Sequence, residues 1–158
     1  MPDQQPQRRQ AYEALLPRLR ALLEGETDVI AVMSTLSCEL IQAMDSFHWV
    51  GFYRNVGNDM LKVGPYQGGH GCLSITFDRG ICGRCATTRE VQLVADVNAE
   101  PDHIACAHTT RSEIVLPVFN RSGELIAVFD IDSDMPDNFS ELDARYLSSI
   151  LDVFKTLP

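Results

Sequence analysis

The sequence predicts an α+β fold in which a central antiparallel sheet is flanked by N-terminal and C-terminal helices. Apolar residues recur at helical spacing over two N-terminal segments, change to the period of two that is typical of strands, and return to helical spacing near the C-terminus. The chain shows no regular alternation of strand and helix and no Gly-rich phosphate fingerprint. A Rossmann or P-loop nucleotide-binding fold is therefore disfavoured.

Length and composition are typical of one globular domain. The chain has 158 residues, of which 45% are hydrophobic and 22% charged, so we expect a single domain over 1–158, with the polar segment 1–10 disordered. A net charge of -9 disfavours nucleic acid and anionic membranes as partners, because both attract basic patches. No apolar run approaches the length of a membrane span, and the N-terminus is too polar for a secretory signal. We therefore expect a cytoplasmic protein.

Two helices are predicted at the N-terminal end. The first is apolar at helical spacing over 12–23 and ends at Gly25. The second has two candidate N-caps, Thr27 and Asp28. Cys38 lies inside this second helix, where we predict that it is a buried small hydrophobe.

The middle of the chain predicts strands, several of them joined as hairpins. The predicted strands are 49–53, 60–66, 73–77, 91–94, 112–119 and 125–131. A short helix is predicted over 82–89, followed after one strand by a loop over 95–110, a length that signals function or disorder. The final amphipathic helix, 140–154, begins at Ser140 with Asp143 three residues on, which resembles an N-cap arrangement.

Three cysteines are predicted on or next to loops, where a thiol can meet solvent and substrate. They are Cys106 at the end of the segment 103–106, Cys72 after a Gly-rich stretch, and Cys82 between two glycines. Five cysteines without a regular framework, in a chain expected to be cytoplasmic, favour catalysis, redox cycling or metal binding over structural disulfides. If these loops pack together, dithiol exchange becomes possible. The alternative is that each is a small hydrophobe without a role.

Cys82 and Cys85 form a C-x-x-C pair that has competing interpretations. A thioredoxin-like motif would need a strand and helix context that the order of elements does not provide. A zinc site could combine this pair with His103, Cys106 or His108, but no second tightly spaced pair accompanies the first. We therefore place zinc below redox chemistry and predict no metal. On a helix the two thiols share a face, so Cys85 is expected to point inward.

Three acidic residues stand within apolar strand patterns: Glu113, Asp130 and Asp132. By strand alternation, Asp130 and Asp132 point to the same face. Two like charges on one face of a sheet are costly unless a cation or a shared proton relieves them. The ammonium group of an amino acid would be such a cation, and a carboxyl that stays protonated could serve as an acid. The alternative is a solvated strand end.

Trp49 and Tyr53 lie four residues apart on a predicted strand and so share a face. Most such pairs belong to a core. The sharper alternative is an aromatic wall for a methyl sulfur group, because contacts between sulfur and aromatic rings are favourable.

Seven short motifs occur together and in order along the chain. They are the segments 49–53, 64–68, 80–83, 96–98, 103–106, 112–117 and 130–132. As a set they resemble the free methionine-(R)-sulfoxide reductase family, whose members are single GAF domains. The resemblance covers nearly the whole chain, from the first helix to the last.

The resemblance implies a reductase that acts on free methionine (R)-S-oxide and not on protein-bound residues, without a cofactor. It implies that Cys106 is the catalytic cysteine, Cys72 the main resolving cysteine and Cys82 a further redox cysteine. The carboxylates would hold the substrate, with Trp49 and Tyr53 lining the pocket; those carboxylates are Glu113, Asp130 and Asp132. The resemblance also implies recycling of a disulfide by thioredoxin and a homodimer.

The chain departs from the family pattern at three places. Ala107 follows the catalytic motif where Asp is common, and the segment 69–71 contains His70 where Lys and apolar residues are more usual. Cys85 is an additional thiol that could divert the disulfide. Two other functions compete with the reductase: a non-enzymatic GAF-type sensor of a small molecule or of redox state, and a zinc-bound structural module.

Overall fold

The structure is a computed structural model that describes residues 4–101, 104 and 109–158. Within these residues the chain forms helices before, between and after the strands. The elements are α1 (Gln5–Leu22), α2 (Val29–Ala43), β1 (Trp49–Asn55), β2 (Met60–Gln67), β3 (Ser74–Thr76), α3 (Gly80–Thr88), β4 (Gln92–Val94), β5 (Ser112–Phe119), β6 (Leu125–Ser133) and α4 (Glu141–Leu151). Short 3₁₀ turns follow at Val97–Ala99 and at Asp152–Lys155. None of the helices in the described ranges is long and apolar enough to cross a bilayer.

The strands form one six-stranded sheet in the order β3-β2-β1-β6-β5-β4, and its ladders are antiparallel. Hairpins connect β1 to β2 and β5 to β6, as their sequence patterns predict. The first and last long strands, β1 and β6, pair at the centre of the sheet, so the two halves of the chain are joined there. The predicted α+β fold is confirmed.

Helix α1 begins at Gln5, and the prediction of disorder over 1–10 is therefore wrong for 5–10. A proline in the first turn favours the start of a helix there. The first N–H groups of a helix have no partner within the helix, and proline has no N–H to leave unpaired. The guanidinium of Arg8 then anchors the turn: it donates to Asn138 Oδ1 at 3.0 Å and to Ser46 Oγ at 3.1 Å. It also lies over the ring of Phe47. These partners are distant in sequence, so the local composition did not predict them.

Two other helix starts agree with the sequence. Asp28 caps α2 and accepts a hydrogen bond from the Ala31 N–H at 2.8 Å, so the second of the two predicted caps is the one used. Ser140 and Asp143 form a capping box at the start of α4. The buried carboxylate of Asp143 also accepts from the Tyr12 hydroxyl at 2.7 Å, which joins α4 to α1.

Cys38 is only half-buried, so the prediction that it is a buried small hydrophobe is wrong. The buried stripe of α2 passes beside it, through Leu36, Ser37 and Leu40. Gln42 Nε2 lies 2.9 Å from its sulfur, one helical turn further on.

Apolar side chains fill both faces of the sheet. On one face, residues such as Phe52 and Phe129 pack against α1, α2 and α4 in the larger cluster. On the other face, the alternate residues of β1, Trp49 and Tyr53, join a smaller cluster beneath α3 that includes Cys82. A sheet with both faces covered must bury its polar residues as well, and the face beneath α3 is where this chain does so.

Candidate active site

A pocket opens on the face of the sheet that α3 covers. The empty space between its lining atoms is about 470 Å³, a volume that includes the open solvent at its mouth. The pocket brings together six of the eight site residues predicted from the sequence. They are Trp49, Tyr53, Cys82, Glu113, Asp130 and Asp132. Of the other two, Cys72 directly follows the lining residue Gly71, and Cys106 lies outside the described residues.

Strand register places the three carboxylates side by side. Asp130 and Asp132 alternate onto the same face of β6, and Asp132 pairs with Glu113 on the neighbouring strand β5. Glu113 and Asp130 are each only 5% exposed, while Asp132 is half-buried. The alternative of a solvated strand end is therefore wrong for Glu113 and Asp130.

Burial makes these carboxyls hard to ionise. It raises the pKa of Glu113 to about 7, and it raises the pKa of Asp130, with help from the charges of Asp132 and Glu113. The pKa of Asp132 is raised by burial and then by the charge of Glu113. A hydrogen bond joins Glu113 to Asp130, and it raises the pKa of Asp130 while lowering that of Glu113. Burial and neighbouring charge therefore favour a protonated carboxyl within this pair.

Cys82 contributes a thiol to the same cluster. It is the third residue of α3, not a loop residue, and only 4% exposed. Burial, and then the charges of Asp130 and Glu113, raise the pKa of this thiol. It also hydrogen-bonds the carboxyl of Asp130. The resting form is therefore a neutral thiol, and such a group is a poor initial nucleophile.

Cys85 lies one turn further along α3 and is fully buried in the same apolar cluster, as predicted from helical spacing. Burial raises the pKa of its thiol, with smaller contributions from Asp130 and Glu113. Cys38, Cys82 and Cys85 are free thiols, whereas Cys72 is disulfide-bonded.

The aromatic wall is formed by three stacked rings. Trp49 stacks on Tyr53, with ring centroids 5.6 Å apart, and on Tyr66, at 5.2 Å. The indole Nε1 donates to the carbonyl of Gly69 at 3.0 Å, which holds the loop after β2 against the ring. A Cβ at Gly71 would lie 2.8 Å from the Trp49 ring and 3.1 Å from the Tyr53 hydroxyl. The loop that carries Cys72 therefore packs directly on the wall.

The described residues contain a group that could hold a metal ion. A ligand atom from each of Cys82, Glu113 and Asp130 lies within 4.8 Å of the other two. This group shares only Cys82 with the zinc site considered from the sequence, which combined the C-x-x-C pair with residues of 103–108.

Comparison with known proteins connects this geometry to a family. The GAF domain family matches residues 26–154. Over 145 residues the chain is 39% identical to Protein YtsP of Bacillus subtilis (91% of this chain, 88% of the relative). It is 35% identical over 140 residues to free methionine-R-sulfoxide reductase of Escherichia coli (89% and 84%). The chain belongs to the free methionine-R-sulfoxide reductase family of GAF domains. The family resemblance carried by the sequence motifs is thereby confirmed.

A solved structure of this family shares the fold closely. The X-ray structure of free methionine-R-sulfoxide reductase from Neisseria meningitidis in complex with its substrate superposes with a TM-score of 0.86 at 38% identity. The superposition covers 92% of this chain and 86% of that one. The sheet order and the covering helix described above are therefore those of a family member.

Sequence reasoning missed one basic residue beside the pocket and several residues that line it. Arg84, within the C-x-x-C pair, donates to Glu100 at 2.9 Å and to Gln92 at 2.7 Å. Its charge lowers the pKa of Glu113 against the effect of burial. Its place inside the C-x-x-C pair of a predicted helix was the available signal. Ile75 and Thr110 line the pocket, and nothing in the local pattern marked either of them.

Proposed function

We propose that this chain reduces free L-methionine (R)-S-oxide to L-methionine. The observation that carries the proposal is the cluster of three buried carboxyls beside a stacked aromatic wall and a thiol. Such a pocket suits a small zwitterion with a cationic end and a sulfur end. Relatives named free methionine-R-sulfoxide reductase support the same substrate.

Substrate binding would divide between the two sides of the pocket. The ammonium group of the substrate would lie among the carboxyl groups of Glu113, Asp130 and Asp132 and would compensate their negative charge. Charge-assisted hydrogen bonds to these carboxylates would then replace the repulsion between them. The methyl group on sulfur would pack against the rings of Trp49 and Tyr53, which are buried and aligned for such contact.

The chemistry would begin at Cys106. Its thiolate attacks the sulfoxide sulfur, while a carboxylic acid protonates the oxygen. Asp130 is one candidate donor, because burial and the charges of Asp132 and Glu113 raise its pKa. The oxygen transfers to Cys106, which becomes a sulfenic acid, and methionine leaves with its sulfur reduced.

A second thiol would then resolve the sulfenic acid. We assign this step to Cys72, whose thiol condenses with Cys106 to form a disulfide and release water. Support comes from Cys72 being disulfide-bonded while Cys82 and Cys85 are free. Cys82 is the further redox cysteine, and Cys85, buried behind it, can divert the disulfide to the C-x-x-C pair.

An external dithiol would reset the enzyme, and thioredoxin is the reductant that we propose. Leu73, directly after Cys72, is 74% exposed, so an apolar contact is available beside the bond to be reduced.

We also propose a homodimer, for which exposed apolar residues such as Leu22 and Ile30 provide surface. We also propose a cytoplasmic location, because the proposed cycle needs a compartment that returns the thiols to their reduced form. The proposed cycle involves no cofactor.

The experiment that tests this function compares the separated R and S sulfoxides of free methionine, with thioredoxin as reductant and methionine release as the readout. The proposal predicts turnover of the R epimer alone. Equal turnover of both epimers would contradict it. No turnover of either would favour a GAF-type sensor, which binds its ligand without converting it.

A further inference from the structure

Three elements of the fold direct metal-binding atoms to one point. Sγ of Cys82 comes from the first turn of α3, and carboxylate oxygens come from Glu113 on β5 and Asp130 on β6. All three atoms lie within 4.8 Å of one another. Ligands of a tetrahedral zinc ion lie about 3.3–3.8 Å apart, given the usual Zn–S and Zn–O bond lengths. The three atoms are thus within about 1.5 Å of the spacing that zinc needs.

A second observation points to a cation at the same place. Oδ1 of Asp130 is buried and has no hydrogen-bond partner among the described residues. The residue as a whole is only 5% exposed and lines the pocket. A buried carboxyl oxygen without a partner costs free energy, and an ion that displaces the carboxyl proton and coordinates this oxygen removes that cost.

The donor set selects the kind of ion. Ca²⁺ and Mg²⁺ prefer oxygen ligands and higher coordination numbers, whereas a thiolate with carboxylates suits Zn²⁺. We propose that the pocket also binds Zn²⁺, held by Sγ of Cys82 and by one carboxylate oxygen each of Glu113 and Asp130. The fourth position is left to water or to Asp132, which pairs with Glu113 across the strands.

Zinc at this point would inhibit the reductase. The ion takes the carboxylates that hold the substrate ammonium, so the two ligands compete for one cluster. It also occupies the Cys82 thiol, which then no longer takes part in disulfide exchange. This consequence rests on the proposed function, whereas the binding of zinc does not.

The test is a titration of the reduced full-length chain with Co²⁺, a spectroscopic substitute for Zn²⁺, without substrate. We expect a thiolate-to-cobalt charge-transfer band that Zn²⁺ abolishes. Cys82→Ser should remove the band, and Asp130→Asn should weaken the affinity at least roughly tenfold. Cys85→Ser, in the same helix and cluster, is the matched control and should keep both band and affinity. Cys38→Ser, on α2, controls for a remote thiol.

The proposal is wrong if Cys82→Ser or Asp130→Asn binds as well as the unaltered chain, since the metal is then held by other thiols as an adventitious ion only. If Cys82→Ser does not fold, the unaltered protein still provides a test. The rate at which Cys82 is alkylated is then measured by peptide mapping, with and without Zn²⁺. Zn²⁺ should slow alkylation of Cys82 at least roughly tenfold, and an unchanged rate overturns the proposal. Because binding is measured without turnover, an inactive chain that binds zinc contradicts the proposed function alone. An active chain that does not bind contradicts this inference alone.

Discussion

Replacing Glu113 by glutamine should lower activity and raise stability at the same time. Burial raises the pKa of Glu113 from 4.5 to about 7. Below pH 4.5 the carboxyl is neutral in the folded and the unfolded chain. As the pH rises from 4.5 to about 7, the unfolded chain ionises first, so the folded state loses relative stability over this window. At higher pH the carboxyl is ionised in both states, so the loss of stability no longer changes with pH.

The size of the effect follows from the pKa change. A rise from 4.5 to about 7 corresponds to about 3 kcal/mol, since each pKa unit is worth about 1.4 kcal/mol. Glutamine does not ionise, it keeps the shape, and its amide offers both an acceptor and a donor to the neighbouring Asp130. The free energy of unfolding of Glu113→Gln should therefore fall less between pH 4 and pH 8 than that of the unaltered chain, by up to about 3 kcal/mol.

The assay is urea unfolding of both proteins at several pH values, with the linear slope checked for constancy. The exposed residue Glu90 offers a matched control, because Glu90→Gln should leave the pH dependence of the unaltered chain in place. If Glu113→Gln and the unaltered chain lose the same stability between pH 4 and pH 8, then Glu113 does not carry the burial cost assigned to it.

Three other substitutions test the two sides of the pocket. Asp130→Asn and Asp132→Asn should each lower kcat/KM roughly 10- to 150-fold, because a charge-assisted hydrogen bond is worth about 1.5–3 kcal/mol. The circular dichroism spectrum should stay unchanged. Full activity in both variants would show that these two acids do not bind the substrate. Gly71→Ala would place a methyl group 2.8 Å from the Trp49 ring, so the loop must shift and KM should rise. Gly69→Ala, in the same loop but with open space around the added methyl group, is the control and should leave the kinetics unchanged.

Sequence periodicity predicted the elements because most of them are decided locally. Alternation along β6 placed Asp130 and Asp132 on one face, and hairpin patterns paired β5 with β6. The position of Glu113 beside Asp132 is different, since it depends on the register between two strands, which no local pattern contains. Family motifs, not periodicity, gave its role.

The remaining misses have the same physical origin. The start of α1 is stabilised by Arg8 through contacts with Asn138, 130 positions away in sequence. Cys38 lies beside the buried stripe of α2, and only the packing of the helix on the sheet decides which residues that stripe includes. Arg84 was missed because its partners Glu100 and Gln92 lie beyond α3. Local patterns do not contain such long-range contacts.

The most direct test of the central claim is the methionine yield of a single turnover without reductant. Cys106→Ser should release none, because an alcohol without a strong base is too weak a nucleophile. Cys72→Ser should still release about one methionine per chain, since attack on sulfur precedes disulfide formation, while its steady cycling with thioredoxin falls. The account is contradicted if Cys106→Ser turns over while Cys72→Ser or Cys82→Ser yields nothing.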